Sequence, residues 1–130
     1  MSNEPKPTGS ISWVDLTITD AEKIRDFYEE VVGWKHDDVS MGDYADYCMI
    51  PSEGEGPVAG ICHARGTNID LPAQWLIYIT VPDADAAASK CTAMGGRVIV
   101  GPKQMGPAGR YCVIQDPSGA VAALFSTKQS

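Results

Sequence analysis

The sequence predicts an α+β fold built from two βαβββ modules with a pseudo-twofold relation, and three observations carry that prediction. First, the chain matches itself when slid by 63 residues: the segment from Trp13 to Asp20 falls on Leu76 to Asp83, and Gly33 falls on Gly96. Second, the same slide places Pro57-Val58-Ala59-Gly60-Ile61 on Ala120-Val121-Ala122-Ala123-Leu124, while a slide of 64 places Tyr47-Cys48-Met49-Ile50 on Tyr111-Cys112-Val113-Ile114. The loop after that Tyr-Cys pair is thus expected to be one residue shorter in the second copy. Third, each copy reads as alternation, then helical spacing, then three further β-rich runs. A unit of this length is longer than most solenoid repeats and reads as two fused modules.

The first module opens with a strand over residues 10–18, alternating and rich in β-formers. Thr19-Asp20-Ala21-Glu22 has the form of a capping box, with two acids in the first turn of the helix it opens. Ala21, Ile24, Phe27, Tyr28 and Val31 recur at helical spacing, and Gly33 is the expected C-cap. Strands are expected over 34–41, 43–50 and 58–64, separated by Gly42 and by the turn Pro51-Ser52-Glu53-Gly54-Glu55-Gly56.

The pattern restarts after a polar connector over 66–73 that lacks periodicity. A strand is expected over 74–81, an Ala-rich helix over 83–94 closed by Gly95-Gly96, and strands over 97–100, 109–115 and 120–126. Asp116-Pro117-Ser118-Gly119 is the turn between the last two. The modules therefore span 9–65 and 74–127 of one domain over 9–127, preceded by a flexible segment over 1–8.

At 130 residues the chain has one domain's worth of length and buries enough surface for a core without staples. Ten basic against 17 acidic residues leave a net charge of −7, which argues against nucleic acid and anionic membranes as partners. No apolar run approaches the roughly 20 residues of a membrane span. The N-terminus lacks the apolar stretch of a signal peptide, so the expected location is the cytoplasm. Cys48, Cys62, Cys91 and Cys112 form no C-x-x-C pair and sit among apolar neighbours, as reduced core residues do.

Two βαβββ modules in this length resemble the vicinal oxygen chelate superfamily, which includes glyoxalase I, bleomycin-resistance proteins and extradiol dioxygenases. The likeness is carried by Leu16-x-Ile18-x-Asp20 with Phe27-Tyr28 and Gly33-Trp34, by Val81-x-Asp83-x-Asp85-Ala86 with Gly95-Gly96-Arg97-Val98, and by Gly109-Arg110 with Asp116-Pro117-x-Gly119. It implies that each module curls into part of an incomplete barrel around a cleft. It also implies that metal-using members place ligands at the start of the first strand and inside the last strand of each module. Those positions fall on Trp13, Gly60, Leu76 and Ala123, none of which offers a metal donor. No cofactor is expected and a divalent metal is not. The resemblance further implies a homodimer.

Strand parity sorts the residues that face the cleft. Val14, Leu16 and Ile18 form an apolar helix-side face, leaving Trp13, Asp15 and Thr17 toward the cleft. In the fifth strand Trp75, Ile77, Ile79 and Val81 take the helix side, leaving Gln74, Leu76, Tyr78 and Thr80. Val58, Gly60, Cys62, Val121, Ala123 and Phe125 face inward by the same register. The expected ligand-binding set is Trp13, Asp15, Thr17, Gln74, Leu76, Tyr78, Thr80 and Phe125, a mixture of aromatic walls and polar contacts common in ligand pockets. Asp15 and Tyr78 occupy equivalent positions and are the candidates for acid/base chemistry; the other reading is that Asp15 hydrogen-bonds Tyr78 or Thr17 and only fixes the core.

His36, in an acidic strand, reads as a surface residue, and His63 as a surface or strand-edge residue. No Ser/His/Asp or Cys/His set assembles from them. Asp37-Asp38, Glu53-x-Glu55 and Glu29-Glu30 read as solvated, and the glycine clusters read as turns. Pro102-Lys103-Gln104-Met105-Gly106-Pro107 reads equally as a cover over the cleft mouth and as a plain hairpin connection. Three functions remain open: an organic small-molecule binder without metal, a metal-independent lyase, isomerase or dioxygenase-like enzyme using Asp15 and Tyr78, and a structural or partner-binding subunit.

Overall fold

The computed structural model describes residues 6–54 and 56–127. Of the expected flexible segment over 1–8, residues 1–5 lie outside the described residues. The chain divides into two compact units, Trp13–Trp75 and a second that runs from Leu76 onward and takes in the residues up to Ser12. Each holds a four-stranded sheet and one long helix.

The first unit contains β1 (Ile11–Ile18, from Trp13 onward), α1 (Ala21–Val32), β2 (Lys35–Ser40), β3 (Ala45–Ile50) and β4 (Ala59–His63). Its strand order is β2-β3-β4-β1, with β1 and β4 parallel and the other neighbours antiparallel. Leu16, Ala21, Tyr47, Met49 and Ile61 form the buried core, with Ile18, Ile24, Tyr28, Trp34 and Trp75 packed against it. The alternation of β1 thus puts Leu16 and Ile18 under α1, as parity requires.

Three details of this unit depart from expectation. The capping box is not made: Asp20 takes φ −104°, ψ 55° and forms no side-chain cap bond. Phe27 and Val31, at core-like spacing, are 52% and 63% exposed, so the buried stripe of α1 is narrower than its apolar stripe. Trp75, expected under the helix of the second module, packs instead against Tyr28 and Trp34 of the first, and its indole N–H donates to the Tyr28 hydroxyl at 3.1 Å. Burying a large ring while satisfying its one N–H favours that seat. The Gly33 C-cap is formed, with φ 89° and its N–H bonded to the Glu29 carbonyl.

The second unit contains β5 (Trp75–Thr80, from Leu76 onward), α2 (Ala84–Ala93), β6 (Arg97–Met105), β7 (Gly109–Gln115) and β8 (Val121–Ser126), in strand order β5-β8-β7-β6. Its helix-side core is Ala88, Cys112 and Leu124, with Ile79, Val81, Val98 and Ile114 packed on it. Asp83 caps α2, accepting from the N–H groups of Asp85 and Ala86 at 3.0 and 3.1 Å. Residues before Trp13 join this unit through backbone bonds, Gly9 N–H to Thr80 O and Thr80 N–H to Ser10 O, both 2.8 Å.

The segment 102–107 is chiefly strand rather than loop. β6 continues to Met105, and a single 3-10 turn over Gly106–Ala108 leads into β7. The ladder slips between Val98 and Val100 and again between Val100 and Lys103. Pro102, which has no N–H, falls inside the second slip, where no ladder donor is needed.

The pairings also correct the internal alignment. Tyr47 lies opposite Ile61, and Cys112 lies opposite Leu124. Ile61 and Leu124 are 63 residues apart and both face a helix, whereas Tyr47 and Cys112 are 65 apart (112 − 47). The Tyr-Cys match at 64 is therefore one residue out of register, and a one-residue slip exchanges the faces of a strand. The loop after β7 is two residues shorter than its counterpart, not one.

Burial, with Cys91 and Asp85 nearby, pushes the Cys112 thiol up to about 11. An unfolded thiol ionises near 9, so between about pH 9 and 11 the unfolded chain loses a proton that the folded chain keeps. This contribution to stability is intact below about pH 9 and falls by up to about 1.4 kcal/mol per pH unit above it. Urea unfolding of the native sequence and of Cys112→Ala at pH 8 and pH 10 checks this: the native protein should lose more stability over that interval. Equal losses would refute the assignment.

Candidate functional site

In the first module the expected cleft residues Trp13, Asp15 and Thr17 come up on the face of β1 opposite α1. Asp15 lies beside Gly60 and Thr17 beside Cys62 in the parallel β1–β4 pairing, and Cys48 lies beside Gly60 from β3. The indole N–H of Trp13 donates to Asp15 Oδ1 at 2.6 Å, a charge-assisted bond that fixes one carboxylate oxygen. That oxygen stands over Gly60: a Cβ added there would lie 2.3 Å from it and 3.5 Å from the Trp13 ring nitrogen. The absence of a side chain at position 60 is what leaves room for the Trp13–Asp15 pair. Thr17, 5% exposed, is closed off more than its polarity suggests.

In the second module Leu76, Tyr78 and Thr80 are 1%, 8% and 7% exposed, and Ala123 is fully buried. Tyr78 lies beside Ala123 and Thr80 beside Phe125. Thr80 Oγ1 accepts from the Ser10 hydroxyl at 3.3 Å. These residues share a face, as parity predicts. Gln74 does not join them: it precedes β5, and its backbone N–H closes a turn onto Pro72 O. It lines a pocket on the helix side of the first module with Trp75. Period-two alternation holds only within a strand, and Gln74 lies one residue before β5 begins.

The positions at which the family resemblance implies metal ligands carry an indole, no side chain, an isobutyl group and a methyl group, at Trp13, Gly60, Leu76 and Ala123. The one polar atom among these side chains, the Trp13 ring nitrogen, is a donor already bonded to Asp15. This donor set does not fit a divalent ion, and no group of three or more His, Cys, Asp or Glu among the described residues is arranged to hold one.

A second polar cluster escaped the sequence reading. Asp46 Oδ1 accepts from the His63 backbone N–H at 2.8 Å and lies 3.2 Å from His63 Nδ1. The His63 ring stands edge-on to Tyr44 at 5.4 Å and tilted to Tyr47 at 5.9 Å, and the Arg65 guanidinium sits 3.9 Å over Tyr44. His63 is thus a strand-end residue, as expected, but tied down rather than loose. His36 is likewise more than a surface residue. It pairs with Glu29 at 2.5 Å and meets the Tyr47 ring edge-on, so Glu29 is not simply solvated. Spacing could not show these contacts, because one joins helix α1 to strand β2 across 7 positions and the other joins β3 to β4 across 17.

Cys62 lies within this same sheet. Burial raises its thiol pKa far above the ordinary value, and the charges of Asp15 and Asp46 raise it further. Cys48 is raised too, by burial and by Asp15 and Asp37. Both are protonated at neutral pH and are not nucleophiles. The face opposite α1 is therefore acidic, with Asp15 as the carboxylate held in a defined orientation.

A sequence profile of the Glyoxalase/Bleomycin resistance protein/Dioxygenase superfamily matches residues 10–124. "Putative glyoxylase CFP32" of Mycobacterium tuberculosis is 34% identical over 122 residues, covering 93% of this chain and 47% of that protein. "Anthracycline biosynthesis protein DauV" of Streptomyces sp. (strain C5) is 31% identical over 128 residues, covering 90% of this chain and 46% of that protein. The chain spans about half the length of the curated relatives it matches. Among solved structures, a variant of Streptomyces coelicolor methylmalonyl-CoA epimerase in complex with 2-nitronate-propionyl-CoA superposes with a TM-score of 0.60 at 14% identity, covering 95% of this chain and 100% of that one. The Mycobacterium tuberculosis methylmalonyl-CoA epimerase gives 0.56 at 16% identity, covering 99% and 94%. At such identities the likeness is one of fold.

Proposed function

This chain belongs to the Glyoxalase/Bleomycin resistance protein/Dioxygenase superfamily, and from that membership we propose that it is a small-molecule-binding member that works without a divalent ion at the family's ligand positions. The observation that carries the proposal is the Trp13–Asp15 pair standing over Gly60. Where a metal-using member would need donors, this chain has an indole that pins a carboxylate. An ionised carboxylate only accepts hydrogen bonds. The ligand is therefore an organic molecule that presents a hydroxyl, amine or amide donor to Asp15 and an apolar or aromatic body to Trp13. A relative named for anthracycline biosynthesis makes a polycyclic aromatic molecule the first probe to try.

Native mass spectrometry of the purified protein, followed by fluorescence titration with an anthracycline, tests this reading. The expected result is a metal-free protein that binds the probe saturably, with Asp15→Asn weakening affinity about tenfold, or roughly 1.4 kcal/mol. A divalent ion bound at full occupancy, or equal affinity in Asp15→Asn, would count against it.

A further inference from the structure

The first module carries a second concavity, on the helix side of its sheet and away from Asp15. It has a volume of about 290 Å³ and is walled by Leu16, Ile24, Phe27, Tyr28, Gln74 and Trp75 among others. Its geometry is braced by aromatic contacts. Tyr28 meets Trp75 edge-to-face at 5.3 Å, Trp34 meets Trp75 at 5.9 Å, and Phe27 stands edge-on to Tyr28 at 5.1 Å. The Trp75 N–H is spent on the Tyr28 hydroxyl, so the ring is fixed and its one polar atom is satisfied. Phe27 remains 52% exposed at the rim although it is among the largest apolar side chains of α1.

A cavity of about 150 Å³ lined by Leu, Ile and Phe admits a benzene ring, so a pocket of this size accommodates roughly two fused rings. Among its lining residues, Leu16, Ile18, Ile24, Phe27, Tyr28, Ala73, Gln74 and Trp75, none is charged. The net charge of −7 works against an anionic occupant. We infer that this pocket is a second binding site, independent of the Asp15 site, for a neutral and mainly apolar molecule of one or two aromatic rings. The rings stack against Trp75 and Tyr28, and Phe27 closes over the outer edge. Aromatic pairs in edge-to-face or offset arrangement add to simple area burial, which favours a flat ligand over a branched aliphatic one.

The test is a titration with 1-naphthol followed by amide and indole N–H resonances, the Trp75 indole signal being identified by its loss in Trp75→Phe. The expected result is saturable one-to-one binding that shifts the Trp75 indole resonance. Ala73→Trp, at an exposed rim position, should weaken binding at least tenfold by filling the space. Phe27→Ala should weaken it about fivefold, and Asp15→Asn should leave it unchanged. Failure to saturate up to the solubility limit of the probe, or undiminished binding in Ala73→Trp, would overturn the inference. So would weakening by Asp15→Asn, which would place the probe on the other face. A Trp75 resonance that moves with protein concentration while the probe is excluded would also overturn it, because a second copy would then occupy the pocket.

Discussion

Alanine in place of Gly109 is expected to destabilise the protein by about 3 kcal/mol or more, through overpacking against backbone combined with an unfavourable φ. The Cβ would lie 2.1 Å from the Ser126 carbonyl oxygen and 3.1 Å from the edge of the Phe125 ring, at φ 152°. The first contact is with main chain, so no rotamer change relieves it. Nor can Ser126 retreat freely. It is fully buried, and its hydroxyl accepts from the Ala84 N–H at the start of α2 at 3.1 Å. The neighbouring Arg110 forms a two-pronged bond to Asp85 in the first turn of the same helix, at 2.8 and 3.0 Å. Displacing β7 from β8 therefore disturbs the seat of α2 as well. Urea unfolding of Gly109→Ala against the native sequence measures the loss, and a difference below about 0.5 kcal/mol would show that the strands part more easily than this geometry allows.

Gly60 makes the instructive contrast. Alanine there also meets an atom at 2.3 Å, but that atom is the carboxylate end of Asp15, which can swing aside. The cost to stability is smaller, and the displaced group is the one proposed to anchor the ligand.

Truncation of Ile61 to alanine is the second large effect, a loss of about 2 to 5 kcal/mol. Ile61 is fully buried at the centre of β4, paired with Leu16 on one side and Tyr47 on the other, both core residues. Its removal leaves a void under α1 whose walls are held by two strands and a helix, so collapse is limited. The void lies in the same core that Tyr28 and Trp75 border. The fluorescence of Trp75 should therefore report the loosening along with the fall in the unfolding midpoint. A loss below about 1 kcal/mol would mean that α1 settles into the gap.

Much of the fold was legible because it is written in local terms. The alternation of β1 and β5 and the Gly33 C-cap each depend on residues within a few positions of one another, and the duplication shows when the chain is compared with itself. The candidate site was legible in part. Parity placed Trp13, Asp15 and Thr17 on one face, and Gly60 marked a missing side chain, but their bond and close approach depend on β1 lying parallel to β4 in one register. The Asp46–His63 and Glu29–His36 pairs have no local signature at all. The capping pattern at Asp20 is a case where the local signal was present and the backbone took another conformation.

The sequence by itself determined the two βαβββ modules, the helix-side faces of β1 and β5 and the lack of metal donors at Trp13, Gly60, Leu76 and Ala123. These follow from residue chemistry and from the fixed periods of helix and strand. Only the tertiary structure decided the register of β3 and β7, the seat of Trp75 against Tyr28, the pinning of Asp15 over Gly60 and the pocket beneath α1. Those depend on which distant segments meet. A period of two tells which side chains share a face, but not which strand lies opposite or which helix covers it.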